Sequence, residues 1–116
     1  TAEAAVDAVT GAIRHGATME AVVAAADGIG RSGFTICDDL VHGFGGGYFP
    51  PILGTRERPA GPLPEMVLEE NMCVVVQPNV IDQAHTAGVQ LGELVRVTKT
   101  GCERLHRTPR GFFRKG

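Results

Sequence analysis

The sequence predicts an α+β domain in which two N-terminal helices are followed by an antiparallel sheet. Three observations lead to this prediction. Apolar residues recur at helical spacing in the first 30 residues, two Val-rich runs later in the chain have the composition of strands, and Gly- and Pro-rich segments separate them. The chain has 116 residues, of which 43% are hydrophobic and 21% charged, so it can form one small domain with its own core.

Two helices are predicted at the start of the chain. The first spans residues 2–14, and its apolar stripe consists of Ala2, Val6, Val9 and Ile13. Thr18 has the side chain of an N-cap, so a second helix is expected to begin there and to end near Gly30. The pair has no basic face, and we therefore interpret it as a packing unit rather than as a DNA-binding motif.

A short apolar segment, two acids and a histidine follow the helices. Residues 34–37 are predicted to form a strand or a loop that leads to Asp38 and Asp39. Adjacent acids can bind a metal, but neighbours on a strand point to opposite faces, so at most one of them is expected to join His42. Otherwise both are predicted to be surface or turn acids.

His42 stands directly before four glycines in five positions, and an aromatic pair and two prolines close this run. Because glycine allows a ligand or another chain segment to approach the backbone closely, the run marks a candidate binding site. A histidine held there can bind a metal, carry a proton or hydrogen-bond as part of the wall.

The second half of the chain contains the strand patterns. Residues 53–64 are predicted to be a loop, because glycines and prolines interrupt every pattern. Residues 72–81 give the strongest strand prediction; nearly every position is apolar, as in a strand covered on both faces, and Gln77 within it needs a partner if buried. Residues 88–98 are predicted to be its partner strand, followed by a last short strand at 102–105.

The composition gives no reason to expect nucleic acid or a membrane as a partner. The formal net charge is −2, and basic residues gather in 107–116, which we predict to be a solvated basic tail behind a domain of residues 1–106. No apolar run reaches the ~18 residues that a membrane span requires. Three scattered cysteines indicate reduced thiols and a cytoplasmic location.

Four pieces of the sequence resemble one known family when they are taken in order. They are the helix pair, His42-Gly43 with Pro50-Pro51, Leu68 to Met72 before the strand with Gln77-Pro78, and the stretch from Gly88 to Thr98. From about Ala2 to Leu105, the chain resembles the C-terminal half of the pita-bread domain shared by aminopeptidase P, prolidase, methionine aminopeptidase and creatinase. Xaa-Pro dipeptidase-like and aminopeptidase P-like members look most similar.

The resemblance implies a divalent metal site (Mn²⁺, Co²⁺ or Zn²⁺) that this chain carries only in part. Catalytic members hold two metals with two Asp, one His and two Glu; the Asp pair is expected in the preceding half, and His42 matches the histidine. The two Glu positions fall on Gln77 and Gly92. The family's arginine falls on Gln90, and its second histidine falls on Phe49. A neutral amide binds hard cations less well than a carboxylate, and glycine supplies no ligand, so the site is predicted to be degenerate.

Glu93 lies directly after the second of these Glu positions. A step of one residue along a strand turns a side chain to the other face, so Glu93 is not expected in the site. A bulge at Gly92 would reverse the alternation and bring Glu93 in as a ligand.

The resemblance leaves several functions open. The chain is expected to be the C-terminal catalytic part of a hydrolase with His42 as its catalytic residue, either with altered metal ligands or metal-independent as in creatinase; alternatively, it is a non-catalytic binding or assembly module. The candidate residues for a peptide-like or small-molecule ligand are Gly45, Gly46, Gly47, Tyr48, Phe49, Gln77 and Gln90. Half of a pita-bread domain leaves a sheet edge and an apolar face uncovered, which predicts a homodimer or a missing N-terminal half.

Overall fold

The structure, a computed structural model, describes residues 1–111 and 113–116, and its elements confirm the predicted α+β class. The helices are α1 (Ala2–Ala12), α2 (Met19–Ala25) and α3 (Gly28–Arg31). The strands are β1 (Thr35–Ile36), β2 (Val41–Phe44), β3 (Tyr48–Leu53), β4 (Cys73–Val76), β5 (Asn79–Ile81), β6 (Gly88–Gln90), β7 (Glu93–Val97) and β8 (Cys102–Arg104). In the described residues, no helix is long and apolar enough to cross a membrane.

The predicted helix pair is present, although both helices are shorter than expected. The second was predicted to end near Gly30, whereas α2 ends at Ala25 and α3 is a separate short helix. α1 ends at Ala12, and Ile13 is extended with φ −82° and ψ 117°. Beyond it, the N–H of His15 donates to the carbonyl of Thr98, so contact with the sheet replaces the last helical turn. The predicted N-cap is confirmed, because the hydroxyl of Thr18 accepts a hydrogen bond from the N–H of Ala21.

The helices cover one face of a five-stranded antiparallel sheet with the order β3-β2-β4-β7-β8. The buried sheet residues on this face are Val41, Leu53, Val74, Val76, Val95 and Val97, and they form one core with the helices. The alternate residues point to the opposite side, which we call the open face. It is defined by His42, Ile52, Val75, Leu94 and Arg96.

The strongest predicted strand is in fact two strands in different sheets. β4 ends before Gln77, whose N–H donates to the carbonyl of Leu40, and β5 lies in a separate sheet with the order β1-β5-β6. Pro78 has no N–H for a ladder, which explains the break. The predicted partner strand divides at the same level, into β6 and β7. The prediction that the strand at residues 72–81 is covered on both faces is therefore wrong, since β4 buries only alternate residues.

The loop that was predicted from residue 53 begins after β3, and the double proline belongs to that strand. β3 lies at the edge of the sheet, where a residue without an N–H breaks no ladder bond on the solvent side. At the other end of the chain, Arg110 is ion-paired to Asp7 and Glu93, so this part of the predicted basic tail is not simply solvated. Residue 112 of the tail lies outside the described residues.

Candidate functional site

β2 carries His42 in the middle of the open face, next to the glycine run. The residue is buried, with only 4% of its surface exposed. Its Nδ1 atom lies 2.9 Å from the carbonyl oxygen of Gly43. Because a carbonyl can only accept, Nδ1 carries a proton, so in the neutral imidazole Nε2 is the nitrogen with the lone pair. The imidazole is thus fixed with Nε2 as the nitrogen that can accept a proton or bind a cation.

The position of His42 depends on an irregularity in the pairing of β2 with β3. His42 pairs with Ile52, whereas Gly43 pairs with Phe49, so the two prolines between these partners bulge out of the ladder. A β-carbon at Gly43 would collide with the backbone carbonyl of Pro50. Glycine is therefore required beside the histidine, because the bulged strand passes directly over it.

Three polar side chains, Asp39, Tyr48 and Gln77, meet beside His42, and we call them the polar cluster. The Tyr48 ring stacks on the imidazole, with centroids 3.7 Å apart and an interplanar angle of 16°. Its hydroxyl donates to Oδ1 of Asp39 at 2.7 Å and accepts from Nε2 of Gln77 at 3.0 Å. Nε2 of Gln77 also lies 3.4 Å from Oδ2 of Asp39. The hydrogen bond to the Asp39 carboxylate, with burial and its charge, raises the pKa of Tyr48.

Asp39 is the one acid of the pair that joins the site. The sequence left open that one of the two acids would join His42 but favoured a surface or turn position for both; in the structure Asp39 is half-buried and accepts a hydrogen bond from the Tyr48 hydroxyl. Asp38 does fit a turn, since it is exposed and its φ is 65°. The signal that could have identified Asp39 was the long polar side chain of Gln77 in an apolar strand, which needed a partner.

The two positions where the resemblance expects glutamates are adjacent in space. A β-carbon at Gly92 would lie 3.9 Å from the β-carbon of Gln77, which is an ordinary van der Waals contact. The alignment of both positions on one face therefore has a geometric basis. Glu93 points to the helix side instead, where it is 3% exposed and paired with Arg104 and Arg110. The alternative in which a bulge makes Glu93 a ligand is wrong.

The remaining candidate residues are spread over a wider region. Gly45 and Phe49 line a cavity of about 300 Å³ at the end of the β2–β3 hairpin, together with Phe44, the two prolines and Met72-Cys73. Gly46 and Gly47 form the turn above it, and Gly46 has a φ of 84°. Gln90 is exposed on β6 and pairs with Asn79, and within the described residues no hydrogen bond joins it to the polar cluster.

The donor set around His42 does not match a centre of two divalent metals. Such a centre needs several anionic oxygens that two cations share. Here Gln77 directs its amide nitrogen, not an oxygen, at Asp39, and Gly92 has no side chain. Among residues 1–111 and 113–116, no group of three or more His, Cys, Asp or Glu side chains is arranged to hold a metal ion. The side chains of residues 1–111 and 113–116 therefore do not by themselves form such a centre.

Comparison with known proteins establishes the class. Residues 1–99 match the model of Metallopeptidase family M24, and the chain belongs to this family. The pita-bread fold and the resemblance to Xaa-Pro peptidases that the sequence predicted are thereby confirmed.

The structure is similar to that of an X-Pro aminopeptidase from Thermotoga maritima, at 24% identity and a TM-score of 0.73, covering 97% of this chain and 31% of that chain. It is also similar to a prolidase from Pyrococcus furiosus, at 24% identity and a TM-score of 0.76, covering 94% and 31%. An Xaa-Pro dipeptidase from Bacillus anthracis matches at 25% identity and a TM-score of 0.69, covering 95% and 30%. The chain thus spans about a third of these proteins. The comparison with curated proteins gives no match.

Proposed function

We propose that this chain is the C-terminal part of an Xaa-Pro peptidase-like protein whose two-metal site is degenerate, and that it retains a binding site for a peptide-like or small-molecule ligand. The observation that carries the proposal is the adjacency of Gln77 and Gly92. These are the two positions where the family resemblance expects acidic ligands, they lie on one face, and neither residue is acidic.

The bonding of the polar cluster supports the loss of metal binding. Asp39 accepts a hydrogen bond from the Tyr48 hydroxyl and lies close to the Gln77 amide nitrogen, so its oxygens are already engaged by two donors. Displacing these donors with a cation would break the cluster, and in the described part of the chain no group of three or more His, Cys, Asp or Glu side chains is placed to share the charge. Hard divalent cations bind weakly to sites of such low negative charge.

The hairpin beside His42 supports a retained ligand site. Phe44, Tyr48 and Phe49 are exposed to 43%, 58% and 51% around the glycine turn, and a cavity of about 300 Å³ lies between the hairpin and Met72-Cys73. Exposed aromatic surface beside a few polar groups is typical of sites that bind small molecules and peptides.

A second candidate function is a metal-independent hydrolase in which His42 transfers a proton. It is favoured by the tautomer of His42, because the Gly43 carbonyl holds the proton on Nδ1 and leaves Nε2 as a base. This reaction would require a substrate to reach Nε2, which is buried in the structure described here.

The proposal also includes a partner that covers the uncovered surfaces, either an upstream half of the protein or a second copy. The three residues of β6 are exposed at the edge of the small sheet. An adjoining groove of about 540 Å³ includes Phe34, Val80 and Leu91. An apolar groove beside a free strand edge is a typical contact surface. The three free thiols support a reducing, cytoplasm-like compartment.

Calorimetric titration of Mn²⁺, Co²⁺ and Zn²⁺ into the metal-stripped, full-length protein tests the degenerate site. We expect no tight binding of two metals. The double variant Gln77→Glu/Gly92→Glu should gain metal binding, because the first change is isosteric and a side chain at position 92 meets only an ordinary contact. The matched control is Gln77→Glu/Gly101→Glu, since Gly101 has open space and lies in the β7–β8 turn.

Two results would contradict the proposal. Tight binding of about two metals by the unaltered protein, together with hydrolysis of Xaa-Pro dipeptides, would show an active metallopeptidase with other ligands. A folded double variant that binds metal no better than its control would show that these two positions are not a decayed ligand pair.

A further inference from the structure

We propose that Tyr48 is a movable cover over His42, and that its hydroxyl occupies the position of a ligand's peptide backbone between Asp39 and Gln77. The cover depends only on contacts within this chain and does not depend on the proposed function. The assignment of the peptide backbone rests on the proposed function, because it assumes that the site beside His42 binds a peptide-like ligand.

The burial of His42 is the first observation that supports a cover. On the same open face, its cross-strand neighbour Ile52 is 42% exposed and Val75 is half-buried, whereas His42 is only 4% exposed. The sheet alone therefore does not bury residues at this position. The added element is the ring of Tyr48, which stacks flat against the imidazole at a centroid distance of 3.7 Å.

The way in which Tyr48 is held makes this arrangement reversible. Its side chain is not packed in the core, since the residue is 58% exposed. Apart from the stacking contact, it is held by its hydrogen bonds to Asp39 and Gln77. Water and ligands compete effectively for hydrogen bonds that are this accessible. Rotation of the side chain therefore breaks two exposed hydrogen bonds and one stacking contact; movement of the backbone would also break the last pair of the β2–β3 ladder, Phe44 with Tyr48, and both leave the apolar core intact.

The backbone before Tyr48 allows the movement. Three consecutive glycines, Gly45 to Gly47, connect β2 to Tyr48, and β-carbons built at Gly46 and Gly47 would meet nothing within 4 Å. The turn is closed by a long hydrogen bond of 3.3 Å from the N–H of Gly45 to the carbonyl of Gly47. Glycine has the widest range of backbone conformations, so this turn can act as the hinge.

The bonding pattern of the hydroxyl indicates which group can replace it. It donates one hydrogen bond to Asp39 and accepts one from Gln77. An extended peptide presents the same pair, because the N–H and the C=O of one residue point to the same side, where the N–H donates and the C=O accepts. A peptide ligand that takes this position would displace Tyr48 and at the same time gain access to Nε2 of His42.

Chemical modification of the full-length protein by diethyl pyrocarbonate tests the cover without any ligand. The rate of modification at His42 is measured by peptide mass spectrometry, with the exposed His85 as the internal reference. We expect Tyr48→Ala to raise the His42 rate about tenfold or more, and Tyr48→Phe to raise it less, because the ring stays but both hydrogen bonds are lost. Gly47→Ala should lower the rate, since it stiffens the hinge at a position with free space.

Equal His42 rates in the unaltered protein, Tyr48→Phe and Tyr48→Ala, with the His85 rate unchanged, would overturn the cover. Calorimetry with the tripeptide Ala-Ala-Ala, whose central residue has both an N–H and a C=O, tests the second statement: Tyr48→Ala should bind it several-fold more tightly than the unaltered protein, and Asp39→Ala several-fold more weakly. Ala-Ala-Ala binding that these variants do not change would overturn the shared position. Absence of Ala-Ala-Ala binding in every variant would refute that position and the proposed ligand class, whereas the modification rates would still decide the cover.

Discussion

The carboxylates on the two sides of the five-stranded sheet have different partners. On the helix side, Glu93 is 3% exposed, and its Oε1 atom lies 3.1 Å from Nε of Arg104 and 2.8 Å from Nη2 of Arg110. On the open face, Asp39 is half-buried and bonds to the uncharged groups of Tyr48 and Gln77. One carboxylate is paired with two guanidinium groups, and the other is paired only with uncharged hydrogen-bond donors.

This difference shows that one step along the chain decides whether an acidic side chain faces the candidate site or the helix side, where it stabilises the fold. Gly92 is on the open face beside Gln77, and Glu93 is the next residue. An acidic side chain at position 92 would face the candidate site, whereas the acid at 93 points to the helix side and pairs with Arg110 of the C-terminal segment, which also pairs with Asp7 of α1. The strand does carry an acidic side chain, that of Glu93, but the alternation of side chains along the strand points it to the helix side.

Removing both arginines is the strongest way to test the helix-side cluster. In the double variant Arg104→Ala/Arg110→Ala, the buried Glu93 loses both partners, and we expect the free energy of unfolding to fall by about 3 kcal/mol. Urea denaturation measures this change. Arg107→Ala, at an exposed position, is the control and should have little effect. A loss well below about 1 kcal/mol would show that these ion pairs behave like exposed ones.

Gly43→Ala tests the bulge that positions His42. The new β-carbon would collide with the Pro50 carbonyl, and we expect a loss of about 2 kcal/mol in the free energy of unfolding, typical of overpacking. The near-ultraviolet circular dichroism of the single tyrosine should also change as its stacking on His42 is disturbed. Gly47→Ala, in the same hairpin but with free space, should stay within about 0.5 kcal/mol of the unaltered protein. If both variants were equally stable, the result would show that glycine is not required at position 43.

The smallest expected effect is a shift in the titration of Tyr48, the only tyrosine of the chain. Asp39→Asn should lower the pKa of Tyr48 toward its ordinary value of about 10, because Asp39 is the main cause of the rise. Ultraviolet absorbance of the phenolate measures it, with Asp38→Asn as the control. Since the folded-state pKa is raised, this interaction stabilises the fold below the ordinary tyrosine pKa and is lost as the pH rises through the raised value. An unchanged pKa in Asp39→Asn would mean that the Tyr48–Asp39 bond does not form in solution.

The sequence predicted the elements whose signals are local. Helical spacing at Val6 and Val9 identified the buried face of α1, and Thr18 identified the cap of α2. The strand predicted at residues 72–81 was too long, because an apolar run does not show where a chain leaves one sheet for another. Pro78 was the signal for that break in the sequence. In the structure, the N–H of Gln77 donates to the carbonyl of Leu40 at the same point.

Family membership and the absence of acids at positions 77 and 92 were determined by the sequence itself, since both depend only on which residues follow one another. The partners of the remaining polar groups were decided by the tertiary structure. Gln77 and Asp39 are 38 residues apart, and Arg110 and Asp7 are 103 apart. Such pairs depend on strand register, the bulge at Gly43 and the path of the C-terminal segment. These features arise from the packing of the whole chain, and no local pattern encodes them.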